Sequence, residues 1–269
     1  MTRSISQPTT AQGLLPRQQA IVQLAKERGF VTIDDLSERL NVTTQTIRRD
    51  INQLCEQGML SRFHGGAAFR SSIANLPYET RRDSLAQEKM RIAELVAAEI
   101  SDNASVFIDI GTTAEAVAAR LLGRRNMRIV TNNLNVVESL GSREDFEIIV
   151  TGGAVRYADR AIMGEATAAF IRQFHLDYAI LGVVAISSEG DVLDFFLEEK
   201  PVTQAILGCA RNAFVVADHS KFGRDAMVKV AHLSQADALF TDSLPGGDWA
   251  RQLGDTGIRI VTGAALSKD

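Results

Sequence analysis

Four short polar clusters in this 269-residue chain carry chemistry, and each follows an apolar run. The first is Asp109-Ile110-Gly111-Thr112-Thr113, the second Thr131-Asn132-Asn133, the third Thr151-Gly152-Gly153, and the fourth Asp218-His219-Ser220-Lys221. Glycine lets a ligand approach backbone amides, threonine supplies hydroxyls, and the start of a following helix supplies N–H groups without intrahelical partners. Together the clusters suit a small polyol phosphate: amides and Lys221 for the phosphate, Asp109 or Asp218 for hydroxyls. Each cluster alone is also ordinary turn or cap chemistry; four of them on one sheet make the case.

A second constellation lies near the N-terminus, in TQTIRRDINQLCEQG. At 100° per residue Ile47, Ile51, Leu54 and Cys55 share one helix face, while Gln45, Arg48, Arg49 and Asn52 share the opposite one. Arginine reaches guanine edges or phosphates, and glutamine pairs with adenine. Thr43, Thr44 and Thr46 stand at the helix start, where hydroxyls and free N–H groups suit phosphates. Arg62 and His64 follow on a hairpin and can touch the nucleic-acid backbone.

The elements that must position these residues follow from periodicity. Residues 1–15 read as a polar tail. A helix begins near Pro16 and ends by Gly29, a second follows a Thr32 cap, and Thr43 or Thr44 caps the third. MLSRF, Gly65-Gly66 and AAF then read as a two-stranded hairpin, completing a winged helix-turn-helix over 16–70. Residues 71–83 read as a linker. From 84 to 262 apolar strands alternate with helices; the strand candidates are 105–109, 128–131, 146–151, 178–181, 213–217, 238–241 and 258–261. Such alternation predicts a mostly parallel α/β sheet with helices on both faces and ligands beyond the strand C-termini. Residues 263–269 read as a tail.

Composition bounds the alternatives. Net charge is −4, yet residues 1–70 hold nine basic and six acidic residues, net +3, and the remainder 20 and 27, net −7. The positive part fits an anionic polymer, and the negative body limits attraction elsewhere. Two cysteines exclude a disulfide scaffold and a Cys-rich zinc site. No bound metal or cofactor is expected. No Gly-x-x-x-x-Gly-Lys or strand-following GxGxxG element exists, which argues against nucleotide and dinucleotide binding. The N-terminus lacks the apolar core of a secretory signal, and no apolar run is long enough to span a bilayer, so a cytoplasmic protein, at the nucleoid when DNA-bound, is expected.

VTTQTIRRDINQLCEQGMLSRFHGGAA resembles the DNA-binding signature of DeoR-type bacterial transcriptional regulators, with TIRRD and HGG its most specific parts. DIGTT, TNN, the Thr-Gly-Gly run and DHSKFG resemble that family's sensor domain, and the resemblance spans about residues 16–262. It implies a sensor similar in fold to ribose-5-phosphate isomerase, a phosphorylated sugar or polyol effector (glycerol 3-phosphate foremost), a homo-oligomer, dimer or tetramer, and repression relieved by the effector. It also adds Glu199 to the effector residues. An activator, or a sensor of another sugar phosphate, is the alternative. A sugar-phosphate isomerase using Asp109, Glu199, Asp218 or Lys221 for acid–base work is the rival, but an attached DNA-binding head makes sensing the simpler role and no enzyme is expected. One stretch departs from the family pattern: in DFFLEEKPVTQAIL, Pro201, Thr203 and Gln204 stand where cations are expected and Lys200 is the only cation. That departure predicts weaker phosphate binding or a different effector.

Overall fold

A computed structural model describes residues 14–28, 30–63, 65–69 and 77–263. The tail residues 1–13 and 264–269, Gly29, His64, Arg70 and linker residues 71–76 lie outside the described residues. The chain divides into two compact units, Met1–Pro77 and Tyr78–Asp269.

The first unit contains α1 (Pro16–Arg28), β1 (Phe30–Thr32), α2 (Ile33–Leu40), α3 (Thr44–Glu56), β2 (Leu60–Phe63) and β3 (Gly66–Phe69). Thr32 caps α2 by accepting the Asp35 amide at 3.1 Å, and Thr43 caps α3 by accepting the Thr46 amide at 3.3 Å. The apolar stripe of α3 is buried as its periodicity requires: Ile47, Ile51 and Leu54 are fully enclosed against Ile21, Ala25, Ile33 and Leu36. Each such aliphatic side chain contributes roughly 1.5–3 kcal/mol on burial. The wing is larger than the expected hairpin. Phe30–Thr32 pairs antiparallel with β3, giving a three-stranded sheet in the order β1-β3-β2. A three-residue strand is too short to show an alternating pattern in sequence.

The second unit begins with α4 (Tyr78–Asp83) and α5 (Ala86–Glu99). Then come β4 (Ser105–Ile108), α6 (Thr112–Leu121), β5 (Arg128–Thr131), α7 (Leu134–Leu140), β6 (Glu147–Val150), β7 (Ala154–Arg156), β8 (Ala161–Met163) and α8 (Glu165–Ile171). They are followed by β9 (Leu176–Gly182), β10 (Ala185–Ile186), β11 (Asp191–Asp194), α9 (Glu199–Gly208), β12 (Ala210–Val216), β13 (Val228–His232), β14 (Ala238–Thr241), α10 (Trp249–Gly254) and β15 (Arg259–Thr262). Part of the expected linker is therefore the helix α4.

Seven strands, one at each expected run, form a parallel sheet in the order β15-β14-β12-β9-β4-β5-β6. Alternation along each strand feeds two cores. Val106 and Ile108 pack with α5, α6 and α7 on one face, whereas Phe107 joins α8 and α9 on the other. Two further pieces were not anticipated: the antiparallel sheet β10-β11-β13 and the hairpin β7-β8. The chain runs outward from β4 through β5 to β6, then returns to place β9 on the other side of β4. That reversal is the topological switch point, where crossovers leave in opposite directions and open a crevice beyond the strand C-termini. The backbones are tight there. The Asp109 amide donates to the Ile180 carbonyl at 3.0 Å, and a Cβ at Gly182 would lie 2.4 Å from the Ile110 carbonyl oxygen.

Candidate functional site

In the first unit, Gln45, Arg48, Arg49 and Asn52 are all solvent-exposed on α3, opposite its buried stripe. Thr44 and Thr46 are half-buried at its start, and Thr43 is committed to the cap, with its hydroxyl also 2.9 Å from that of Thr46. Arg62 is exposed on β2, and His64 lies outside the described residues. A surface groove beside the α3 N-terminus is lined by Arg17, Thr43, Gln45, Thr46, Arg49 and Asp50, among others. The helix is held at its angle by a contact that sequence reasoning missed. Asp50 is buried among the apolar residues and accepts from Arg17 Nε at 2.5 Å, Arg17 Nη2 at 3.2 Å and Gln18 Nε2 at 3.4 Å. An acid on the buried side of a helix, with an arginine two helices earlier, was the available signal.

The strand-end clusters of the second unit follow β4, β5, β6 and β12 and have distinct tasks. Gly111 adopts φ +108°, a conformation that favours glycine, as the N-cap of α6. Thr113 is buried beneath it, and the Thr112 hydroxyl donates to the Arg81 carbonyl at 3.4 Å. Thr131 is a strut: its hydroxyl donates to the Ile108 carbonyl at 2.6 Å and accepts the Asn133 amide at 3.0 Å. Asn133 caps α7 by accepting the Asn135 amide at 2.9 Å and donates to Glu115 at 3.1 Å. Asn132 faces Asp109, donating from Nδ2 to Oδ1 at 3.0 Å. Its own Oδ1, and the hydroxyl of the neighbouring strand end at Thr151, are buried without a hydrogen-bond partner among the described residues. Two orphaned acceptors in a crevice of strand ends are suited to the hydroxyls of a bound ligand.

Gly152 and Gly153 have packing reasons of their own. The Gly152 carbonyl accepts the Thr167 hydroxyl at 2.9 Å, and Gly153, at φ +143°, would carry a Cβ 2.1 Å from Thr167 Oγ1. Asp218 is engaged as a cap, accepting the Ser220 amide at 3.0 Å and its hydroxyl at 2.5 Å. Burial pushes its carboxyl up, but Lys221, Ser220 and Lys89 outweigh this and hold it below the ordinary value.

The electrostatics show opposed sets of charges. Burial raises Asp109 to about 8, aided by Glu199, and raises Glu199 to about 7 despite Arg156, whose Nη1 donates to Glu199 Oε1 at 2.7 Å. Burial likewise raises Asp194, which accepts the amides of Phe195 and Phe196. Burial lowers Lys221 to about 8, and Arg224, Arg81 and Lys89 push it the same way against the pull of Asp218. Burial lowers Arg224 to about 10, with Arg81 adding to the effect. Arg81 and Lys89 are themselves lowered by burial. Four cations thus crowd one another, an arrangement that an anion relieves.

Four of the five cations here, Arg81, Lys89, Arg156 and Arg224, were not among the expected site residues. Arg156 ties Asp159 with two bonds of 2.8 Å and lies over the Phe196 ring at 4.8 Å, while Arg224 lies over Phe195 at 5.3 Å. Residues 196–204 contribute little of this charge, as their sequence implies. Lys200 is exposed, Gln204 binds the Val230 carbonyl at 2.7 Å, and Thr203 is buried on α9. The site's positive charge comes from other elements.

Among the described residues no group of three or more His, Cys, Asp or Glu is placed to hold a metal ion, and no helix is long and apolar enough to cross a membrane.

Comparison with known proteins agrees with this division. Residues 17–73 match the DeoR-like helix-turn-helix domain, and residues 84–243 match the DeoR C terminal sensor domain. The chain is 48% identical over 229 residues to the glycerol-3-phosphate regulon repressor of Escherichia coli K12, covering 85% of this chain and 91% of that one. It is 46% identical to the protein of the same name from Haemophilus influenzae, over 86% of this chain and 90% of that one. It is 42% identical to the HTH-type transcriptional repressor CsqR of Escherichia coli K12, over 91% and 94%. Among solved structures, ribose 5-phosphate isomerase A from Neisseria gonorrhoeae aligns over 51% of this chain and 53% of that one, at 16% identity and a TM-score of 0.36. With both of its domains matched and such identity across most of its length, the chain belongs to the DeoR family of transcriptional regulators.

Proposed function

We propose that the chain is a transcriptional repressor that releases its operator when the sensor domain binds a small phosphorylated polyol, with glycerol 3-phosphate the effector. The observation that carries this reading is that Arg81, Lys89 and Arg224 all act on Lys221, while the Arg81 carbonyl is bonded to Thr112 at the end of the Asp109 turn and the carboxyls of Asp109 and Glu199 are buried. Cations there suit a phosphate. A protonated carboxyl, Asn132 Oδ1 and Thr151 Oγ1 suit the hydroxyls of a short polyol. The names of the relatives from Escherichia coli and Haemophilus influenzae support the same effector.

In the head, Gln45, Arg48, Arg49 and Asn52 read base edges or grip phosphates, and Thr44, Thr46 and Arg62 position the backbone. A homo-oligomer presents paired heads to half-sites about 34 Å or multiples apart. The protein works in the cytoplasm, at the nucleoid when DNA-bound. The effector lowers operator affinity only by its differential affinity for the two states, typically 5–150-fold.

A mobility-shift assay on the chain's own promoter region tests this. Glycerol 3-phosphate is expected to weaken the shifted band, and an equal concentration of glycerol to leave it unchanged. No shift at low salt overturns the DNA reading; a shift insensitive to glycerol 3-phosphate overturns the effector. A carboxyl near 8 beside another near 7 also suits acid–base isomerisation, so turnover of ribose 5-phosphate by the full chain would favour the rival reading.

A further inference from the structure

The effector reading places a phosphate among Lys221 and its neighbours, and two of those neighbours come from the first turns of the sensor domain rather than from strand ends. Arg81 is on α4, which starts at the boundary between the two units, and Lys89 is in the first turn of α5.

Their geometry binds them to each other and to the crevice. The Lys89 ammonium donates to the carbonyls of Arg81 and Ser84, closing the α4–α5 turn. The Arg81 carbonyl also accepts the Thr112 hydroxyl at the glycine-capped start of α6. Arg81 Nη2 lies 3.5 Å from Asp159, which Arg156 shares. At the other end of α4, Tyr78 donates to Glu115 at 2.7 Å, and Glu115 accepts from Asn133 and Asn135. No residue of α4 is buried in an apolar core. The helix is therefore held by polar bonds to the same residues that build the crevice, not by hydrophobic burial.

We propose that Arg81 and Lys89 join Lys221 as ligands of the effector's phosphate, so that the bound phosphate grips α4. The proposal rests on the effector reading above and adds the part of the chain that feels the ligand. A dianion arriving beside Lys221 gains from Arg81 and Lys89, so that it meets three cations whose charge is disfavoured first by burial and, at Lys221 and Lys89, also by neighbouring cations. It also competes with Asp159 for Arg81 and with the two carbonyls for Lys89. Ligation thus changes what holds α4, and α4 is the sensor element next to the head in sequence. This supplies a differential contact of the kind an allosteric effect requires.

The test uses the full chain, with glycerol 3-phosphate and inorganic phosphate as separate probes in titration calorimetry, and hydrogen exchange with and without each probe. The wild type is expected to bind both, with slowed exchange at residues 78–85. Arg81→Gln is expected to weaken both probes at least tenfold, and Arg81→Lys to retain part of the affinity. Thermal denaturation without ligand identifies any variant that fails to fold. Lys89→Gln provides a second reading of the same prediction. Wild-type affinity in folded Arg81→Gln and Lys89→Gln overturns the proposal, as does ligand binding without protection at 78–85. Binding of phosphate but not glycerol 3-phosphate, with the same variant losses, supports the phosphate ligands and overturns the effector assignment instead. Binding of neither overturns both.

Discussion

Asp109→Asn is the most informative change in the sensor domain, because it removes one titration and almost no volume. Asp109 is buried at the end of β4, accepts from Asn132 at 3.0 Å, and has its pKa raised from 3.8 to about 8 by burial and by Glu199. A carboxyl whose folded-state pKa lies above its free value favours folding in its protonated form. That contribution is fully present below about pH 4 and is lost as pH rises through about 8. At about 1.4 kcal/mol per pH unit, the ceiling on the loss is roughly 6 kcal/mol. Repulsion shared with Glu199, and relaxation of the crevice around an ionised group, bring the expected gain from the amide down to about 2 kcal/mol at pH 8.5. For a unit of this size that is a rise of roughly 4–8 °C in the sensor's melting temperature. At pH 5 Asp109 already carries its proton, so variant and wild type should melt within about 2 °C of each other. Calorimetric melting of the full chain at both pH values decides the matter. An equal shift at pH 5 and pH 8.5, or destabilisation at pH 8.5, would refute the claim that Asp109 is held in a site hostile to its charge.

Asp50→Ala strips α3 of its tie to Arg17 and Gln18. Arg17 keeps access to water, so the loss is moderated by solvent and should appear as a lower head transition in differential calorimetry. Arg48→Ala is the converse: the exposed side chain leaves stability within about 0.5 kcal/mol while operator affinity in a mobility-shift assay falls roughly tenfold or more. Lys221→Met removes a charged phosphate donor, so glycerol 3-phosphate affinity by calorimetry should drop about 10–100-fold while effector-free operator binding is retained. Gly153→Ala forces a Cβ against the Thr167 hydroxyl at a positive φ and should cost at least about 2 kcal/mol in sensor stability, read by thermal melting.

Much of the fold was legible because burial leaves a periodic trace. The five inner strands of the parallel sheet are largely buried and read as apolar runs, as 129–130 and 213–217 illustrate, while the edge strands β6 and β15 are only half-buried. The α3 stripe announced itself through Ile47, Ile51 and Leu54 in the same way. Most of what was missed had little such trace, although β13, VKVAH, does alternate at its start. The paired strands β7 and β8 have three residues each and β10 has two, too few for an alternation to stand out. The helix α4, YETRRD, has no apolar stripe because its attachments are Tyr78 to Glu115 and Arg81 to Asp159; a polar segment tied by side-chain bonds looks like a linker when only hydrophobicity is read.

The site was half legible for a related reason. Strand-end clusters carry their signal locally: a glycine before two threonines, or two asparagines after a strand, is visible without knowing what lies opposite. Net charge in a crevice is different, because it sums side chains that are close in space and remote in sequence. Residues 196–204 contain Lys200 alone, and read by themselves they predict a site poor in cations. In the fold Lys200 points to solvent, whereas Arg81, Lys89 and Arg224 act on Lys221 from separate elements. The aromatic pair at the head of this stretch has its own use: Phe195 lies against Arg224 and Phe196 against Arg156, covering two arginines supplied by other parts of the chain. On the proposed reading, the cations of the candidate site therefore come from elements remote in sequence from this stretch, so its own shortage of Lys and Arg does not by itself measure the charge a ligand would meet.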